Sequence, residues 1–227
     1  MSDQLFVKIC GITSEADGLL AVSLGASAVG FMFAPSPRQI HVQLAADIAK
    51  RLPEHIVTVG VFRNEAPQRV VDAVHTAGLN AAQLHGQETA EDTQWVRARV
   101  PLVIKAFRAG ERTIARFDEF GADYLMVDGD NPGSGQVFDW RLGEGVVDHD
   151  RLIVCGGLRP DNVAEAVAFL RPWGVDVSTG VESAPGKKDP LLMRDFITNA
   201  RRAHADTAAR DPLESQAAEE PYDWREA

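Results

Sequence analysis

Cys10 closes a short apolar run in Lys8-Ile9-Cys10-Gly11-Ile12-Thr13. A thiol there can act as base or nucleophile once it is a thiolate. An unperturbed cysteine titrates near about 8.5, so a site that uses it must lower that value. Lys8, two residues earlier on the same strand face, can help. Asp128 follows the apolar run Tyr124–Val127. Desolvation beside such a run favours a protonated carboxyl, which suits it to donate a proton. Arg38, in Ser36-Pro37-Arg38, can fork onto a carboxylate or a phosphate. Each has a plainer reading: a small buried apolar residue for Cys10, a cap or turn for Asp128, a solvated surface cation for Arg38.

Two glycine-containing stretches suit an anion. Gly156-Gly157-Leu158 and Ser178-Thr179-Gly180-Val181-Glu182 let backbone N–H groups approach a phosphate, and a short helix starting near Gly180 would aim its N-terminus at it. Ordinary turns are the alternative. His85, in Gln83-Leu84-His85-Gly86, could contact a ligand or shape the pocket, and is expected to line it rather than transfer protons. Asp176 precedes the second stretch and either orients its neighbours and ligand or is paired within the last strand.

No metal site is expected: the six histidines are scattered, and neither His-x-x-x-His nor Cys-x-x-Cys occurs. A Walker loop and a Gly-x-Gly-x-x-Gly fingerprint are also absent; Gly133-Ser134-Gly135 continues into Gln136-Val137-Phe138 and fails the second. Lys8 and Lys105 sit in strands, and nothing supports either as a Schiff-base lysine.

These residues need a scaffold that gathers them. Short apolar runs read as strands at Leu5–Ile9, Ala28–Met32, Ile56–Val61, Ala81–Leu84, Leu102–Ala106, Tyr124–Val127, Leu152–Cys155 and Val175–Val177. Most do not alternate in polarity, as strands buried on both faces do not. Helical patterns lie between them at Ser14–Leu24, Val42–Leu52, Ala66–Ala77, Glu88–Arg99, Thr113–Phe120 and Asp161–Leu170. A last one, Asp189–Ala203, has Asp189-Pro190 as cap and first position. The Gly-rich stretch Gly129–Gly145 reads as irregular, with a turn of helix near Asp139–Leu142. Eight strand-then-helix units fit a single α/β (β/α)8 TIM barrel of parallel strands better than a doubly wound open sheet. The Gly and Pro signals follow the strands, so they share the rim where such barrels carry their sites.

Composition agrees. The chain has 227 residues, 45% hydrophobic, with 23 Lys and Arg against 33 Asp and Glu, a net charge of −10. Enough apolar material is present for one core, and an acidic chain is a poor nucleic-acid or anionic-membrane binder. Residues 206–227 hold seven acids and two bases, a net of −5. Residues 1–205 are therefore read as the barrel and 206–227 as an acidic, disordered tail. With two cysteines, no signal-like N-terminus and no apolar stretch of about 18 residues, a cytoplasmic location is expected.

Several stretches together carry a resemblance. Lys8-Ile-Cys-Gly-Ile-Thr13, Gly30-Phe-Met-Phe33, Ser36-Pro-Arg38, Gly60-Val-Phe62, Gln83-Leu-His-Gly86, Asp176-Val-Ser-Thr-Gly-Val-Glu182 and Pro185-Gly-Lys-Lys-Asp189 occur in order. The chain resembles the phosphoribosylanthranilate isomerases of tryptophan biosynthesis over residues 5 to about 203. That resemblance implies a cofactor-free Amadori rearrangement with Cys10 as general base and Asp128 as general acid. It also implies Arg38 on the substrate carboxylate and Gly157 with the Thr179–Gly180 turn on its phosphate. Thr179 stands where a second Ser is commoner, Cys155 is less usual, and the tail has no counterpart. A monomer or weak homodimer acting on a small phosphorylated substrate is expected, with a pocket locally positive through Arg38 and the helix N-terminus. The rivals are the related aminoaldose isomerase of histidine biosynthesis and a non-catalytic phospholigand-binding barrel.

Overall fold

A computed structural model describes residues 4–129 and 149–209. Eight parallel strands close a barrel in chain order: β1 (Phe6–Cys10), β2 (Ala28–Met32), β3 (Val57–Phe62), β4 (Ala81–Leu84), β5 (Leu102–Arg108), β6 (Tyr124–Asp128), β7 (Leu152–Val154) and β8 (Gly174–Val177). Each strand pairs with its sequence neighbour, and β8 returns to pair with β1. Every predicted strand is present, with ends shifted by at most two residues. The helices are α1 (Glu15–Ser23), α2 (Val42–Ala49), α3 (Pro67–Ala77), α4 (Ala90–Arg97), α5 (Phe117–Phe120), α6 (Val163–Leu170) and α7 (Pro190–Ala208).

Strand parity sorts the side chains. Odd-numbered neighbours on β1, Val7 and Ile9, face the helices and join the larger apolar core with Val29, Phe31, Leu84, Leu125 and Val175. The opposite face points into the barrel, where Ala28, Val59, Ala81, Ile104, Met126, Ile153 and Cys155 fill the interior. The lower end is stoppered by a ring stack: Trp173 lies 4.5 Å from Phe6 and 4.0 Å from Tyr124, centroid to centroid. The barrel therefore opens only at the rim where the strands end.

Local chemistry sets the helix starts. Ser14 caps α1 by accepting from Asp17 N, and Asp189 caps α7 from Leu191 N and Leu192 N ahead of Pro190. Helix α4 begins two residues later than the pattern suggested, because Thr89 and Asp92 form a capping box. Glu88 is thereby left outside the helix, buried and ion-paired to Lys105 at 3.0 Å. The predicted helix over Thr113–Phe120 is mostly a 3-10 segment, Arg112–Arg116, before the one-turn α5. Helix α7 continues to Ala208, past the expected start of the tail at 206, since Ala203 is still buried and the last turns are Ala-rich. The Gly-rich stretch after Gly129, with Gly133-Ser134-Gly135 and the turn near Asp139–Leu142, and the tail from residue 210 lie outside the described residues. Among the described residues no helix is long and apolar enough to cross a membrane.

Candidate active site

The rim holds a cavity of about 180 Å³. Cys10, Arg38, His85, Asp128 and Asp176 line it, together with Gly156, Gly157, Ser178 and Thr179. Residues drawn from six separate stretches of sequence thus meet in one place. Gly180 follows them directly, in the 3-10 turn Thr179–Val181. That turn stands where a short helix was expected. Its single turn offers free backbone N–H groups rather than a sizeable dipole.

Strand β1 brings Lys8 and Cys10 onto its inward face. Lys8 is fully buried, and its Nζ lies 2.8 Å from Asp176 Oδ1, its direct register partner on β8. Gly30, opposite Cys10 on β2, makes room for both groups. A Cβ there would sit 2.8 Å from Cys10 Sγ and 3.0 Å from Lys8 Nζ. Burial opposes the Lys8 charge, but Asp176 and the Cys10 thiolate outweigh it and hold the ammonium above its usual range. Burial, with Asp176 adding to it, pushes the Cys10 thiol up; Lys8 and, more weakly, Lys188 oppose the rise, and the balance leaves the thiol above the usual cysteine range rather than lowered as expected of a site that uses it. Among the described residues, the cations that lower the thiol are Lys8, from β1 itself, and Lys188, from the stretch after β8.

Asp128 is positioned by three contacts. Gly129 N donates to Oδ1 at 2.8 Å, and His85 Nε2 lies 2.9 Å from Oδ2. Behind it sits Gly156, with φ +83°, packed so closely that a Cβ would lie 2.4 Å from Asp128 Oδ1 and 2.5 Å from Gly129 N. Gly156→Ala is accordingly expected to displace the carboxyl and lower kcat by about 10²-fold or more. It adds about 1–3 kcal/mol of backbone strain. Steady-state kinetics and thermal unfolding measure the two, and unchanged kcat would show that Asp128 tolerates displacement.

Arg38 is not a free cation in this structure. Its Nε and Nη2 each donate at 2.7 Å to the two carboxylate oxygens of Glu182. The same carboxylate takes Lys188 Nζ at 3.0 Å, and Lys188 also donates to Ser178 O at 3.0 Å. Burial works against the Glu182 charge, but Arg38 and Lys188 win and hold its carboxyl below the ordinary range. Within this group two cations face one anion, a formal +1, while Asp128 and Asp176 also line the cavity. Sequence reasoning gave Glu182 and Lys188 no role, although both stand in quoted stretches. Nothing local links positions 38 and 182. Lys188 is the last residue of the hairpin formed by β9 (Glu182–Ala184) and β10 (Lys187–Lys188), which was not foreseen. Lys105 points outward between strands and helices. Its Nζ is taken up by Gly86 O, Ala106 O and Glu88.

Known proteins resemble the chain over most of its length. The family model described as N-(5'phosphoribosyl)anthranilate (PRA) isomerase matches residues 7–199. The N-(5'-phosphoribosyl)anthranilate isomerase of Desulforudis audaxviator is 45% identical over 204 residues, covering 87% of this chain and 98% of that protein. The crystal structure of phosphoribosyl anthranilate isomerase from Thermotoga maritima superposes with a TM-score of 0.80 at 43% identity, over 87% of this chain and 99% of that one. A crystal structure of such an isomerase in complex with reduced 1-(o-carboxyphenylamino)-1-deoxyribulose 5-phosphate gives 0.77 at 41% identity, with the same coverage. The chain belongs to the N-(5'-phosphoribosyl)anthranilate isomerase family.

Proposed function

We propose that the protein is the isomerase of tryptophan biosynthesis that converts N-(5'-phosphoribosyl)anthranilate to 1-(2-carboxyphenylamino)-1-deoxyribulose 5-phosphate. One observation carries the reading: a buried thiol with its own cation and a carboxyl held between Gly129 N–H and the His85 ring face the same small cavity. Asp128 delivers a proton to the furanose ring oxygen as the C1′–O bond breaks. The aniline nitrogen's lone pair forms the C1′ iminium. That electron demand acidifies the C2′ proton, which the Cys10 thiolate removes. The C2′–H electron pair becomes the enolamine double bond and neutralises the iminium. Proton uptake at C1′ and loss of the enol proton then yield the ketone. The oxidation-state change is internal, C1′ being reduced as C2′ is oxidised, so the proton transfers balance with no external oxidant or reductant.

Arg38 is the carboxylate-binding residue in this reading. Glu182 holds its guanidinium plane through Nε and Nη2, which leaves Nη1 for the anthranilate carboxylate. Backbone N–H groups of Gly157 and of the Thr179–Gly180 turn hold the phosphate, with the Ser178 hydroxyl, buried and without a partner among the described residues, beside them. The tail beyond the last helix takes no part, and the enzyme works as a monomer or weak homodimer in the cytoplasm.

The test is an assay of the purified protein with phosphoribosylanthranilate beside the aminoaldose of histidine biosynthesis. Turnover of the first alone is expected. Turnover of the second alone would assign the protein to the histidine pathway, and turnover of neither would leave a binding protein.

A further inference from the structure

Gln83 sits on the inward face of β4, 1% exposed, and belongs to no step of the mechanism above. Its amide bridges two groups. Nε2 lies 2.7 Å from His85 Nδ1 and 3.2 Å from Met126 Sδ, while Oε1 is buried without a partner among the described residues. The amide nitrogen can only donate. His85 Nδ1 facing it must therefore accept, and a neutral ring then carries its hydrogen on Nε2. That hydrogen points at Asp128 Oδ2, 2.9 Å away. Met126 Sδ fixes the choice, because the sulfur accepts the second amide hydrogen and would repel the oxygen that a reversed amide presents.

We propose that Gln83 is a positioning residue for the proton donor, acting through the tautomer of His85. This rests on the reading of Asp128 as general acid. With Nε2–H toward Oδ2, the ring can give a hydrogen bond to Asp128 but has no lone pair there to take its proton. The proton of the carboxyl is left for the sugar ring oxygen, and the carboxylate that remains after transfer meets two donors already aligned, His85 Nε2–H and Gly129 N–H. In the opposite tautomer the bare Nε2 would draw the proton onto the imidazole and away from substrate. Thus an amide that never touches the reacting atoms decides where the acid's proton goes.

Nitrogen NMR of the full chain labelled with 15N-histidine reads the tautomer directly. The expected wild-type spectrum shows His85 protonated at Nε2 and bare at Nδ1; a ring protonated at Nδ1 alone would overturn the proposal, whatever the variants do. In Gln83→Glu an acceptor replaces the donor. The ring should gain a hydrogen at Nδ1, and kcat should fall about tenfold or more, part of the about 10²–10⁴-fold that a positioned acid supplies. KM should stay within about twofold. Unchanged kcat in that variant also overturns it. Asp128→Asn separates the two readings. Full turnover there with an Nε2–H ring in the wild type would sink the acid assignment while upholding the amide's hold. Lost turnover with a wild-type Nδ1–H ring would do the reverse.

Discussion

Cys10→Ala is expected to lower kcat by about 10²–10⁴-fold, the contribution of a positioned general base, with product affinity within a few-fold of wild type. The fold should survive, because the side chain is small and the change leaves the Lys8–Asp176 pair in place. The neighbouring thiol is no substitute base. Cys155 shares the cavity, but burial first and then Asp128 and Asp176 push its thiol well above the usual range, with Lys8 the one cation opposing them. Cys10→Ser should fail almost as badly, since a hydroxyl is a far weaker acid than a thiol and is not ionised by one lysine. Steady-state turnover and calorimetric titration with product separate chemistry from binding. Turnover near wild type in either variant would remove Cys10 from the role of base.

Lys8→Met is expected to damage both stability and chemistry. Its Nζ is fully buried against Asp176 at 2.8 Å, and removing one partner of a buried pair costs about 3–5 kcal/mol. Lys8→Met with Asp176→Leu should recover much of that stability and none of the activity, so the two effects come apart. The pH profile carries the second half. A base must be deprotonated, so kcat/KM rises with pH through the value for Cys10. Lys8 lowers that value and Asp176 raises it, while Lys188 adds a smaller lowering; Arg38 lies close enough to feel the thiolate. Losing Lys8 should move the rising limb to higher pH, and Asp176→Asn should move it to lower pH. Alkylation of the thiol across the same pH range checks both without relying on turnover. Shifts in the same direction for the two variants would contradict this electrostatic account.

The strands were legible because their residues are apolar on both faces, which only a doubly covered sheet requires. The order of the loops then placed Cys10, Asp128 and the two glycine stretches on one rim before any coordinates. Parity even anticipated that Lys8 shares a face with Cys10. Less legible were contacts made across long sequence distance. Arg38 and Glu182 are 144 residues apart, and no local pattern announces a bidentate pair. Glu88 carried a helical pattern, yet the Thr89–Asp92 box starts the helix after it and frees it for Lys105. His85 was expected to line the pocket or contact a ligand, with no link to Asp128. Its bond to Asp128 depends on where β4 and β6 end relative to each other, a register that sequence does not print.

The Lys8–Asp176 pair lies on the seam between β1 and β8 that closes the barrel. Its partners are 168 residues apart in the chain, so the most distant ends of the barrel must meet before either charge is neutralised. A nascent or partly unfolded chain lacking β8 would leave a lysine facing an apolar channel with no counter-ion, and a one-residue slip of β8 would turn Asp176 toward the helices. Closure in any register but the native one is penalised. The thiolate's cation is thereby settled in place only when the ring is whole, so a fragment or swapped assembly without this seam should be catalytically silent even if most of its helices are formed.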